Sequence, residues 1–361
     1  MLNFRTSTAA EQVAEHLRRE ILRGVWRGSM PGGDKLAAEL GIGCNTAEAA
    51  LVLLEKEGWL VNRGRRRGRL VATASDRRES SSLRVGFLLS EPANHFLDYI
   101  IETRNELGGI GHTTMAAPIT MEELGMDVDR IIRMVKRTKA DAWVVTAGSS
   151  EILDWFAAQE KPAFALFGRR REKRMASAGP DKGPALLAAT RQLLALGHRR
   201  IVLMTRPRRL FPKPGLVEQM FLDELRSNGL IGAQYHLPHW EETPEGFHAR
   251  LEQLFDTNPP TALLLDESPL LFAVQQFLSQ RGLASPKDVS LLCLDQSPDF
   301  AWCYPTIAHI RWESRPLVRR MVRWVENIGK GKIDLRQTDT PAELVSGGTI
   351  GPAPLESGMR S

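Results

Sequence analysis

At 361 residues the chain is long enough for two or three domains, each with a substantial core. It is 42% hydrophobic and 25% charged, with no apolar run near the ~18–20 residues of a membrane span, which argues against a membrane protein. The net charge of +5 is unevenly placed: residues 1–82 hold 14 Lys/Arg against 10 Asp/Glu, and the rest holds 34 against 33, so a polyanionic partner is expected for the N-terminal end alone.

The polar start, MLNFRTSTAAEQVAEHL, lacks an apolar h-region, so no secretory signal is expected. AAEQVAEHLRREILRG reads as a helix with Val13, Leu17 and Ile21 on one face and Gly24 as its stop. The turn VWRGSMPGG leads to a second short helix, DKLAAELG. A third starts near Asn45-Thr46, puts Ala47, Ala50, Leu51 and Leu54 on one face, and breaks at Gly58. VNRGRRRGRLV then reads as a two-strand hairpin whose tip carries Arg63, Arg65, Arg66, Arg67 and Arg69. Three helices and an arginine-loaded hairpin make a winged helix-turn-helix, a unit suited to a groove flanked by phosphates. An arginine run alone is more often a solvated face or tail; the helices directly before it carry the argument.

This segment resembles the GntR family of bacterial repressors. The matching residues are Ile21-Leu22-Arg23-Gly24, Met30-Pro31, Leu36-Ala37, Leu40-Gly41-Ile42, Asn45-Thr46, Ala49-Ala50-Leu51, Leu54-Glu55, Glu57-Gly58 and Gly64…Arg67-Gly68, about 65 residues in unbroken order. The family's Ser-Arg before the Asn/Thr-Thr pair is here Gly43-Cys44. The usual serine cap of the second helix is Gly32, and the following Glu-Arg is Gly33-Asp34. The resemblance implies double-stranded operator DNA as partner, with Asn45, Thr46 and Glu48 at the groove and Arg63, Arg65, Arg66, Arg67 and Arg69 on phosphates or the minor groove. Cys44 reads as a small helix-start residue, with a redox switch as the alternative. Cys293 and Cys303 are far from it and from each other, as expected of thiols in a reducing cytoplasm.

TASDRRESSSL, residues 73–83, has linker composition. It separates an expected head, residues 1–72, from a body, residues 84–355. In the body, strand and helix signals alternate: LRVGFLLS, NHFLDYIIETRNEL, MDVDRIIRMVKRT, ADAWVVTAG and PAFALFG, then GPALLAATRQLLALG, RRIVLMT, LVEQMFLDELRSNGL, TALLLD, PLLFAVQQFLSQRG and DVSLLCLD. Buried strands alternating with crossover helices predict two doubly wound α/β lobes, with ligands in the crevice outside the strands' carboxyl ends. Between the two halves, LFGRRREKR reads as a solvated surface loop.

The body is similar to the ligand domain of LacI/GalR-type repressors and to periplasmic sugar-binding proteins. The anchors are Leu196-Gly197-His198-Arg199-Arg200-Ile201, Leu265-Asp266-Glu267, Pro286-Lys287-Asp288-Val289-Ser290 with Leu294-Asp295, and Pro305-Thr306-Ile307 with a helix over 314–329. The fold expected for the chain is thus an N-terminal winged helix-turn-helix plus a two-lobed doubly wound α/β periplasmic-binding-protein-like domain, resembling the arabinose repressor type of regulator.

Strand-end position nominates Ser90, Asn94, His95, Arg206, Asp266, Glu267, Asp295, Gln296 and Trp302 for a small-molecule effector, a sugar or a derivative, since hydroxyls suit carboxylate, amide and guanidinium groups and apolar sugar faces suit aromatics. Asp295 matches the family's ligand-holding aspartate. The family's arginine falls on Val217, for which Arg206, Arg208 or Arg209 could substitute. For the aromatic and histidine candidates a core or hinge role is an equal reading. His236 and His239 form an HxxH, but Pro238 between them argues against a shared helix face, and no metal or other cofactor is expected. No catalytic motif appears, so an enzyme is not expected. The expected protein is a cytoplasmic homodimer, because two joined heads gain affinity through effective concentration. The alternatives are a body that only dimerises and, more remotely, an enzyme with a DNA-localising head.

Overall fold

The computed structural model describes residues 8–26, 28–62, 68–71, 82–211 and 213–355. Contacts divide the chain into two compact units: 1–85 with 104–115 and 322–333, and 86–103 with 116–321 and 334–361.

In the first unit, α1 (Ala9–Leu22) begins at a capping box in which the Thr8 hydroxyl accepts from the Glu11 amide and the Glu11 carboxylate accepts from the Thr8 amide. β1 (Ser29–Met30), α2 (Gly33–Leu40), α3 (Cys44–Lys56), β2 (Leu60–Asn62) and β3 (Arg69–Val71) follow. Leu17 and Ile21 of α1, Leu36 of α2 and Ala47, Ala50, Leu51 and Leu54 of α3 form one buried core, as their spacing requires. β2 and β3 pair antiparallel with Leu60 opposite Val71 and Asn62 opposite Arg69. β1 adds a third strand beside β3, which a two-residue element inside a turn-like segment gave no pattern to foresee.

The body contains β4 (Arg84–Leu88), α4 (Asp98–Gly109), β5 (Thr113–Ala116), α5 (Val128–Arg137), β6 (Ala142–Thr146), α6 (Ser150–Ala157), β7 (Ala163–Leu166), β8 (Ala176–Asp181), α7 (Gly183–Ala195) and β9 (Ile201–Met204). Then come α8 (Leu216–Ser227), α9 (Ala233–His236), α10 (Pro244–Thr257), β10 (Ala262–Leu265), α11 (Ser268–Gln280), β11 (Ser290–Cys293), β12 (Ala308–Trp312), α12 (Arg315–Gly329) and β13 (Gln337–Val345). Among the described residues the strands lie in the order β5-β4-β6-β7-β8-β13-β12-β11-β10-β9. The long β13 joins the halves: its first residues pair parallel with β8, its last antiparallel with β12.

Alternation explains why β9 and β10 are apolar throughout and β11 is apolar after Ser290. Val202, Met204, Leu263, Leu265, Leu291 and Cys293 face α10 and α11 through Phe247, Leu251, Leu271 and Val274. Ile201, Leu203, Ala262, Leu264 and Leu292 face α7 and α8 through Leu186, Ala189, Phe221 and Leu225. A strand covered by helices on both sides has no polar face, so its loops alone carry polar chemistry. His198, in the turn before β9, is buried and ties that turn to Thr261 and Gly351 at 2.9 Å each.

One expectation is overturned in part here. In LFGRRREKR, Arg171, Glu172 and Arg174 are exposed, but the Arg170 side chain is 4% exposed and pairs with Asp339, Gly179 and Ser177. Arg171 holds Asp181 at 2.8 Å, and Lys173 holds Asp154 at 2.6 Å and Ser150 at 2.7 Å. Asp339 lies in β13, so the run braces a strand 169 residues away in sequence.

Candidate nucleic-acid interface and ligand crevice

α3 starts without a side-chain cap at Gly43. The Cys44 thiol donates to Asp34 at 2.6 Å; that bond, with the nearby carboxylates, pushes the thiol's pKa above its ordinary value, so Cys44 is not a thiolate at neutral pH. Asn45, Glu48 and Ala49 are exposed and Thr46 and Val52 half-buried, so the outward face of α3 carries Asn45, Glu48, Ala49 and Val52. Arg69 enters β3 and bends its guanidinium onto α3, with both terminal nitrogens on Glu48 at 2.5 and 3.1 Å and Nε on Glu55. Glu48 and Arg69, nominated as separate contacts, are therefore partners of each other. Arg63, Arg65, Arg66 and Arg67 lie outside the described residues.

In the body the nominated loops converge at the carboxyl ends of β9, β10 and β11. Asp266, 2% exposed, accepts from the Thr205 hydroxyl at 3.1 Å and from Arg209 at 2.9 Å. Burial alone would raise its carboxyl, but Arg209, Lys182 and Thr205 outweigh burial and hold it below the usual carboxylate value. Its neighbour Glu267 is pushed the other way, by burial and by the Asp266 charge, although Arg206 donates to it at 2.9 and 3.2 Å. Asp295 accepts from the Trp312 indole at 2.8 Å, from the Gln296 amide at 2.9 Å and from Lys182 at 3.0 Å. The Trp312 ring packs beside Tyr99 and Phe167, with the three centroids 5.6–5.9 Å apart. Burial, with the charges of Asp295 and Glu267, pushes the Tyr99 hydroxyl well above its usual value.

Phe167 reaches this group from a left-handed backbone, φ 62°, a conformation that costs a non-glycine residue about 1–2 kcal/mol. Gly168 makes the turn possible: a Cβ there would meet the Gly148 carbonyl oxygen at 2.8 Å. On the β4 side, the Ser90 amide donates to Thr146 and its hydroxyl to Asn94 at 2.6 Å, so both residues brace the loop. Glu91 between them accepts from Arg208 at 2.7 Å and lies 3.6 Å from Arg206, joining the loop after β4 to the loop after β9.

Two nominations end elsewhere. Trp302 is 90% exposed in a 3-10 turn, and the indole on Asp295 belongs to Trp312, ten residues on. His95 faces Glu123, and among the described residues no hydrogen bond joins it to Asp266, Glu267 or Asp295. Val217, in α8, packs against the apolar core beside α7, while Arg209 spans Asp266 and Glu218. His236 donates to the Ile201 carbonyl and His239 lies beside Phe211, so the HxxH pair does not converge. Sequence reasoning missed Glu91, Tyr99, Phe167, Lys182, Glu218 and Trp312. Each sits inside a helix, strand or turn whose local pattern is structural, and only the fold brings them together.

Residues 9–71 match the bacterial regulatory proteins of the gntR family, and residues 190–350 match the periplasmic binding protein-like domain. HTH-type transcriptional regulator MalR of Streptomyces coelicolor is 28% identical over 183 residues, 50% of this chain and 53% of that protein. HTH-type transcriptional regulator reg1 of Streptomyces lividans is 28% identical over 187 residues, with the same shares. The chain thus spans about half the length of the curated relatives it matches. Among solved structures, a LacI family regulator from Enterococcus faecium with bound ribose superposes with TM-score 0.59 at 16% identity, over 74% of this chain and 99% of that one. Transcription regulator CcpA of Lactococcus lactis gives TM-score 0.62 at 13% identity, over the same shares. At these identities the likeness is one of fold. The chain joins a winged helix-turn-helix head that matches the gntR family model to a body that matches the periplasmic binding protein-like model and shares its fold with LacI family structures.

Proposed function

We propose that this protein is a ligand-responsive transcription regulator, a cytoplasmic homodimer that binds operator DNA through residues 1–72 and is governed by a small molecule in the body, residues 84–355, across a linker at 73–83. The observation that carries this reading is a gntR-type head on a body whose strand-end loops gather Asp266, Glu267 and Asp295 around the Tyr99, Phe167 and Trp312 rings. Carboxylates beside aromatic faces suit a sugar or a related polyol, and the Enterococcus faecium relative in fold was solved with ribose. Asn45, Thr46 and the wing arginines are the proposed DNA contacts, and Asp295 with Gln296 the proposed ligand grip. A ligand drawing the loops of Glu91 and Arg206 together would change the spacing of the two heads against half-sites. The body acts as a sensor and not as an enzyme.

One observation favours a second reading, a body that dimerises and senses nothing. Lys182 occupies Asp295, Arg209 occupies Asp266 and Arg206 occupies Glu267, so each of these acids is already satisfied within the chain. Calorimetry and thermal shift of the full-length protein against a monosaccharide panel separate the two. A saccharide that raises the melting temperature and changes DNA affinity supports the sensor; no shift with any member, at concentrations that saturate sugar-binding proteins, sinks it.

A further inference from the structure

The head's reading surface differs from what its sequence advertises. α3 presents Asn45, Glu48, Ala49 and Val52 at i, i+3, i+4 and i+7, one stripe of the helix, with Leu53 at its margin. Glu48 is the only charged group of that stripe, and Arg69 holds it through both terminal guanidinium nitrogens. The same guanidinium binds Glu55, which also accepts from the Asn62 amide on the opposite strand of the wing at 3.3 Å. Among the described residues Arg69 is thus one cation shared between two carboxylates, and its guanidinium is committed to them rather than to a phosphate. Its side chain is 15% exposed, and its pKa is raised well above that of a free arginine, the Glu48 hydrogen bond being the largest cause. Gly33 in α2 leaves the space that the Glu48 carboxylate occupies: a Cβ there would meet Oε2 at 2.7 Å.

Resting on the assignment of the head as a DNA-binding unit, we infer that Arg69 is a positioning residue that ties the wing to α3 and withdraws Glu48 from base contact. α3 then reads its operator through the Asn45 amide and the methyl groups of Ala49 and Val52. The matching chemistry in a major groove is an adenine edge for the amide and thymine 5-methyl groups for the apolar pair. An uncompensated acid at this position would instead repel phosphates or seek a cytosine amino group.

The test uses the full-length protein and a pool of random duplexes, selected for binding and sequenced. The selected half-site is expected to contain T·A pairs. Replacing thymine by uracil at one position at a time should weaken binding about fourfold at each contacted methyl, the worth of one buried methyl group. Glu48→Gln, near-isosteric and checked for an unchanged melting temperature, should keep the base preference and bind more tightly, because a negative charge beside the groove is removed. A site indifferent to uracil at every position, or a base preference altered in Glu48→Gln, overturns this readout while leaving the head a DNA-binding unit. A pool that yields no bound duplex overturns the head's assignment and the readout with it.

Discussion

Two arginine runs, RGRRRGR at 63–69 and RRREK at 169–173, look alike in sequence, but the second is a brace within the body and the first is proposed to meet DNA. The second is neutralised from within: Arg170 meets Asp339, Arg171 meets Asp181 and Lys173 meets Asp154, carboxylates from three separate elements. The first belongs to a segment that carries four of the chain's five surplus positive charges. Only Arg69 of this run lies among the described residues, and its carboxylate partners are on the helix immediately before it. A basic run is thus a candidate for a polyanion only where the rest of the chain fails to answer it, and sequence proximity does not reveal the answer.

Four measurements break or sharpen this contrast. The largest effect is expected from Arg170→Ala, which strands the buried side of Asp339 and leaves Gly179 and Ser177 without their donor. Leaving buried acceptors unsatisfied costs about 1–3 kcal/mol, read as a lower urea midpoint of the body, while Arg171→Ala, a third exposed, should cost under ~1 kcal/mol. Equal effects would mean that the brace is not the buried pair. Next, Arg65→Ala with Arg66→Ala should weaken binding to every duplex by about 10- to 100-fold and reduce the salt slope by about 2, since each phosphate contact adds about 0.9 to it. A slope that does not change would show that the wing run, like the other, is answered inside the protein.

Asp295→Ala should abolish the response to an activating or releasing saccharide and leave DNA affinity within about twofold, since Asp295 anchors Trp312 and Lys182 far from the head in sequence. A full response in that variant removes Asp295 from the ligand grip. The smallest effect concerns pH. Burial pushes the imidazoles of His112, His198 and His236 below their ordinary value. The unfolded chain then takes up more protons than the folded one as pH falls through ~6.5, so stability is whole above that pH and declines below it. Glu267 and Glu326, raised by burial, oppose the decline. The urea midpoint should fall between pH 7.5 and pH 5.5; a midpoint that holds or rises would place the histidines in wetter surroundings.

The head was legible because its core is local. Leu17, Ile21, Ala47, Ala50, Leu51 and Leu54 bury as their helical spacing requires, and Gly41 and Gly58 end α2 and α3 with φ 66° and 79°. β5, α6, β8, β12 and β13 went unread, being short or lacking the apolar signature of β9 to β11. Strand-end logic nominated Arg206, Asp266, Glu267, Asp295 and Gln296, which the fold gathers at the carboxyl ends of β9, β10 and β11. Trp302 was nominated for being an aromatic near Asp295 in sequence, but the chain turns outward there, and β12 returns Trp312 to the carboxylate instead.

By itself the sequence determined the two-part architecture, the positive head and the strand-end acids, because periodicity, charge excess and glycine stops act over a few residues. Tertiary structure alone decided which charges pair with one another. Arg69 and Glu48 are 21 residues apart, Lys182 and Asp295 are 113 apart, and Arg170 and Asp339 are 169 apart. Each pair is made by strands and helices meeting in space, and an ion pair of that kind leaves no periodic trace along the chain.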